Sequence, residues 1–97
     1  MKHKSILQEA EQIVNGARRK DYGDPYDNCL MSTNLLNARF APKLKEPLIP
    51  EEIAEIMILF KVARNAHSYK RDNAVDIAGY AWVLEKVNEG KTKRTNK

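Results

Sequence analysis

A single cysteine, Cys29, rules out an internal disulfide and a cysteine-built metal cluster, and it suits a reducing compartment. No run of 18 apolar residues occurs, and Met1-Lys-His-Lys leads straight into an amphipathic pattern. Neither a membrane span nor a signal peptide is therefore expected, and the expected location is the cytoplasm. Gly-x-Gly-x-x-Gly, the Walker loop, His-Glu-x-x-His and a serine nucleophile motif are all missing, so no cofactor, metal site or catalytic residue is assigned from them. Acidic residues are absent from positions 91–97, which hold four of the 17 basic ones. Residues 1–90 thus balance at 13 of each sign, and the formal charge of +4 belongs to the tail. Four clustered charges attract phosphate weakly, so the expectation is a disordered basic tail over 91–97 and no specific nucleic-acid partner.

What remains is helical. Ser5 and Gln8 form a capping box, followed by apolar residues at Ile6, Leu7, Ala10, Ile13, Val14 and Ala17. Gly23 can take a positive φ, and Asp24 before Pro25 reads as an N-cap with proline in the first helical position. Three prolines within 41–50 predict an extended crossover, and Pro50-Glu51-Glu52 opens a third helix. From Ile53 to Ala66 that helix is apolar on too many sides for one stripe and is expected to be buried on most of its circumference. A short turn leads to a fourth helix from about Asn73 that stops at Gly90, antiparallel to the third. The expected fold is all-α: one compact four-helix domain over 1–90, with a buried central third helix and a hairpin of helices three and four. The apolar surface of so short a chain also predicts a homo-oligomer.

Two polar clusters stand out. Lys61, Arg64 and His67 share one face of the third helix, and Arg71 and Asp76 follow the turn. Asp76 falls level with Lys61 and Arg64 across the hairpin, so a structural ion pair is expected there alongside any ligand role. Arg18, Arg19, Tyr22 and Asp24 crowd the loop after helix one, where arginines suit phosphates, tyrosine suits stacking on a base, and a carboxylate suits a base edge or ribose. In an up-down packing the end of helix one can lie beside the hairpin turn, which would join the two clusters into one ligand site.

Lys20-Asp-Tyr-Gly-Asp-Pro-x-x-Asn28, Ile56-Met-Ile-Leu-Phe-Lys-x-Ala-Arg64 and Arg71-Asp-x-x-x-Asp-Ile-Ala-Gly-Tyr80 resemble an uncharacterised family of small helical proteins from phages and prophages. Lys-Asp-Tyr-Gly and the final Asp-x-x-x-Tyr are more loosely similar to phage nucleotide-modification-associated domains. The resemblance implies a phage setting, hence the host cytoplasm, and a nucleotide ligand. By analogy with small phage sponges, the protein would sequester a linear or cyclic nucleotide immune signal without turning it over. Glu51-Glu52-x-x-Glu55 with Asp72 and Asp76 resembles the MazG-like pyrophosphohydrolases, which implies Mg²⁺ as the alternative. Asn73 departs from that pattern, where a glutamate is wanted. Glu55 and Asp76 are also expected to be roughly 10 Å apart along the hairpin axis, too far for one ion. A non-catalytic structural protein of a phage is the third reading.

Overall fold

The computed structural model describes residues 4–16 and 23–95. Four α-helices account for most of them: α1 (Ile6–Asn15), α2 (Pro25–Phe40), α3 (Pro50–His67) and α4 (Arg71–Thr95). A 3₁₀ turn, Ala41–Lys43, follows α2, and no strand occurs among the described residues. The locally encoded starts are where the side chains place them. Gln8 N donates to Ser5 Oγ at 3.1 Å and Ser5 N to Gln8 Oε1 at 2.9 Å. Asp27 N donates to Asp24 Oδ2 at 3.0 Å ahead of Pro25, and Gly23 has φ +74°. At α3 the cap residue, Ile49, has no acceptor side chain, and Glu52 reaches back to accept from Ile49 N at 3.0 Å. The crossover is pinned by Asn37, whose amide both donates to Leu48 O at 3.0 Å and accepts from Leu48 N at 2.8 Å.

α3 and α4 form the expected hairpin, and its turn is built on Asn65. One oxygen, Asn65 Oδ1, accepts from Lys70 N at 3.2 Å and from Asn73 Nδ2 at 3.0 Å. Asn73 is only 7% exposed, so this bond satisfies an amide that water hardly reaches. The central element is α4, which packs against all three other helices.

Burial of α3 is the main departure from expectation. Ala54 is its one buried residue, while Leu59, Phe60 and Val62 are 65%, 57% and 51% exposed. The fully buried apolar side chains are small ones, Ala10, Cys29, Ala54, Val75 and Val87, while the large ones of α3 are half-buried, as Ile53 and Met57 are, or exposed. The shape agrees: the radius of gyration is 15.0 Å, against about 13 Å for a compact domain of 100 residues.

α4 does not stop at Gly90 but continues to Thr95. Gly90 instead allows a close approach, since a Cβ there would sit 2.7 Å from Tyr26 Cβ. Gly90→Ala gains about 1 kcal/mol of helix propensity but forces apart two packed helices, at about 1 to 3 kcal/mol. It is expected to lower the urea midpoint. In a Tyr26→Gly background, where the Cβ and ring that crowd this position are both gone, the same substitution should raise it, and a lack of sign reversal would disprove this role of Gly90.

Candidate functional site

The four helices line a half-open cavity of about 520 Å³. Ala10, Ile13 and Val14 of α1 give it an apolar wall because they are the inward positions of that helix's stripe. The start of α2 adds Asn28, Cys29 and Ser32, which fall on one face at spacings of one and four. α3 contributes Ala54, Met57 and Lys61; Lys61 is seven residues, two turns, beyond buried Ala54 and so points inward with it. α4 contributes Asp76, Gly79, Tyr80 and Trp82, and Gly23 lies at the start of α2. Polar groups from three helices therefore converge on a mostly apolar space.

Lys61 Nζ and Asp76 Oδ2 form an ion pair at 3.0 Å, with side chains 14% and 28% exposed. This is the cross-hairpin pair expected from the register, with lysine rather than arginine as the cation. Cys29 is buried on the cavity wall, and burial pushes its thiol pKa up, away from the reactive thiolate. Thr33 Oγ1 donates to Cys29 O at 2.7 Å, a bond within α2 that satisfies a buried hydroxyl.

Of the residues singled out in the sequence, Lys61 and Asp76 line this cavity. Arg64 and His67 lie on the exposed side of α3. Asp24 caps α2. Arg18, Arg19 and Tyr22 lie outside the described residues. Arg71 is a tether: it ion-pairs with Glu9 and donates to Lys4 O, and the Glu9 hydrogen bond raises its pKa above the ordinary value. These contacts correct the expected packing. The start of α4 touches the start of α1 through Arg71, and Gly79 lies two turns on beside Val14 near the end of α1, so the two helices run in the same direction. It is the beginning of α1, and not its end, that lies beside the hairpin turn. Asn28, Ser32 and Tyr80 were not singled out as site residues, although Asn28 and Tyr80 each close one of the quoted motifs.

The carboxylates of the Mg²⁺ alternative are dispersed. Glu51 Oε2 accepts from Lys91 Nζ at 2.9 Å, Glu52 caps α3, Asp76 faces Lys61, and Glu55 and Asp72 are exposed. Among the described residues no three acidic, histidine or cysteine side chains gather as a metal-holding group. Burial pushes the Glu51 carboxyl up, but the hydrogen bond from Lys91, its backbone and the Lys91 charge together hold its pKa below the ordinary 4.5. The stability from this bridge is present above the ordinary value and lost as pH falls through the depressed folded one. Glu51→Gln should therefore flatten the acid limb of a urea-midpoint profile, while changing stability near neutrality by no more than about 1 kcal/mol. An unchanged acid limb would show that the bridge does not form in solution.

Fold and site together define a small all-α protein with a mostly apolar central cavity on which a few polar groups converge. By sequence it belongs to the family described as "Domain of unknown function (DUF6378)", whose model matches residues 5–88 and so takes in every residue lining the cavity. It is 46% identical over 84 residues to the Gene 55 protein of Mycobacterium phage L5, covering 86% of this chain and 52% of that protein. To the Gene 55 protein of Mycobacterium phage D29 it is 38% identical over 86 residues, covering 88% and 54%. The chain thus spans about half the length of the curated relatives it matches. No solved structure matches it. Among the described residues no helix is long and apolar enough to cross a membrane.

Proposed function

We propose that this protein binds a nucleotide in its central cavity and sequesters it, in the manner of a phage sponge for a host nucleotide signal. The observation that carries the reading is the convergence of Lys61, Asp76, Asn28, Ser32 and Tyr80 on one mostly apolar cavity of about 520 Å³. That volume lies within the range of small-molecule sites, roughly 300 to 1,000 Å³, and a few polar groups on apolar walls are what orients a ligand in them. Trp82 and Tyr80 offer ring faces to a base, Asp76 and Asn28 offer acceptors to its edge, and Lys61 offers a cation to a phosphate. Binding is favoured over Mg²⁺-dependent hydrolysis because the carboxylates that hydrolysis would need are each engaged elsewhere or turned to solvent. The similarity to phage proteins supports the biological setting.

The test is a thermal-shift series with linear and cyclic nucleotides, with and without Mg²⁺, followed by chromatography of the recovered nucleotide. A ligand at about a hundred times its Kd should stabilise the fold by about 2.7 kcal/mol, without Mg²⁺, and be recovered intact. If no nucleotide raises Tm, the reading fails. If the nucleotide returns cleaved in the presence of Mg²⁺, the pyrophosphohydrolase reading replaces it.

A further inference from the structure

The outward side of α3 is apolar and largely uncovered among the described residues: Leu59, Phe60, Val62, Ala63 and Ala66 are exposed and Ile56 is half-buried. Ile56, Leu59, Ala63 and Ala66 follow one another at spacings of three, four and three, and so form a single stripe, with Phe60 and Val62 on its two flanks. The inward side, with Ala54, Lys61 and Asn65, is the opposite one. Lys61 is turned to Asp76, and Arg64 falls beyond Phe60, so between Glu55 and His67 the stripe itself bears no charge. Interface cores are depleted of charge in the same way.

The stripe is also graded in size. Its first half is large, Ile56 and Leu59, and its second half is small, Ala63 and Ala66. A parallel copy would set large on large and alanine on alanine, leaving a gap at one end. An antiparallel copy, related by a two-fold axis at the level of Lys61, sets Leu59 on Ala63 and Ile56 on Ala66 in all four layers. Phe60 then meets Phe60, and Val62 meets Val62, on either side of the axis. Small residues facing large ones let two helices approach to about 8 Å.

We propose that this face of α3 is a self-association surface, occupied by α3 of a second copy running antiparallel across a two-fold axis. The pairing covers the three most prominent exposed apolar side chains of the helix and accounts for a helix that is apolar nearly all round yet unburied in one chain. It is independent of the ligand reading, since Lys61 stays turned to the cavity.

The test is the mass of the full chain by light scattering and analytical ultracentrifugation up to about 100 µM, a concentration at which an interface of standard size is populated. The parent should be a dimer or a multiple of one, and Leu59→Glu should shift it towards half that mass with an unchanged helical circular dichroism spectrum. Ala63→Leu places leucine on leucine and should weaken association at least about tenfold. The size swap Leu59→Ala with Ala63→Leu should restore it, because the large-on-small layers are rebuilt in reverse. A monomeric parent, a Leu59→Glu variant that keeps its mass, or an Ala63→Leu variant that associates as the parent does would each overturn the proposal; the last outcome is the one a parallel pairing gives.

Discussion

Asp76→Ala is expected to destabilise the fold by about 2 to 3 kcal/mol, because it strands the Lys61 ammonium in a cavity whose other walls are mainly apolar. For a chain of this size that corresponds to a fall in Tm of roughly 10 to 20 °C. The cost lies in the charge left behind more than in the bond removed. Replacing both members, Lys61→Met with Asp76→Leu, should therefore return stability to within about 1 kcal/mol of the parent. The pair of measurements separates scaffold from site. On the proposed function the double variant folds but no longer responds to any nucleotide that stabilises the parent. Urea midpoints at constant m-value decide the stability half: if Asp76→Ala matches the parent, or the double variant is as weak as the single, the ion pair does not hold the cavity together.

The register that brings Lys61 opposite Asp76 was legible because a hairpin with a short turn leaves little freedom in it. The helix starts were legible for a similar reason. Ser5 with Gln8, and Asp24 with Pro25, act over three residues or fewer, so nothing distant can override them. Gly90 was misread because glycine has two uses near a helix end: it can terminate the helix, or it can admit a neighbour, and only the position of Tyr26 tells them apart. The direction of α1 was misread because the connection between Asn15 and Pro25 is long enough for either orientation; Arg71 and Glu9 settle it across 62 positions of sequence. The apolar circumference of α3 pointed to a burial that Leu59, Phe60 and Val62 do not have, since composition marks an apolar surface without saying what covers it. The cavity itself was half legible. Lys61 and Asp76 announced themselves as charges in apolar surroundings, whereas Asn28, Ser32 and Tyr80 carry no such contrast and are recognised only once three helices meet.

Asn65 is the residue with the least signal in the sequence and the second largest expected effect. A lone asparagine late in an amphipathic helix reads as a surface residue, yet its Oδ1 holds both the Lys70 amide and the buried Asn73 side chain. Asn65→Ala leaves the Asn73 amide with no acceptor at 7% exposure, at about 2 kcal/mol. Asn73→Ala should cost less, about 1 kcal/mol, because Asn65 Oδ1 keeps its bond to Lys70 and no buried donor is left without an acceptor. The double variant should then be no less stable than Asn65→Ala alone, a coupling of opposite sign to simple addition. Hydrogen exchange supplies a second reading: the Lys70 amide should lose protection in Asn65→Ala and keep it in Asn73→Ala. Equal costs for the two single variants, or an unprotected Lys70 amide in the parent, would show that the hairpin turn is held by the packing of α3 on α4 and not by this asparagine.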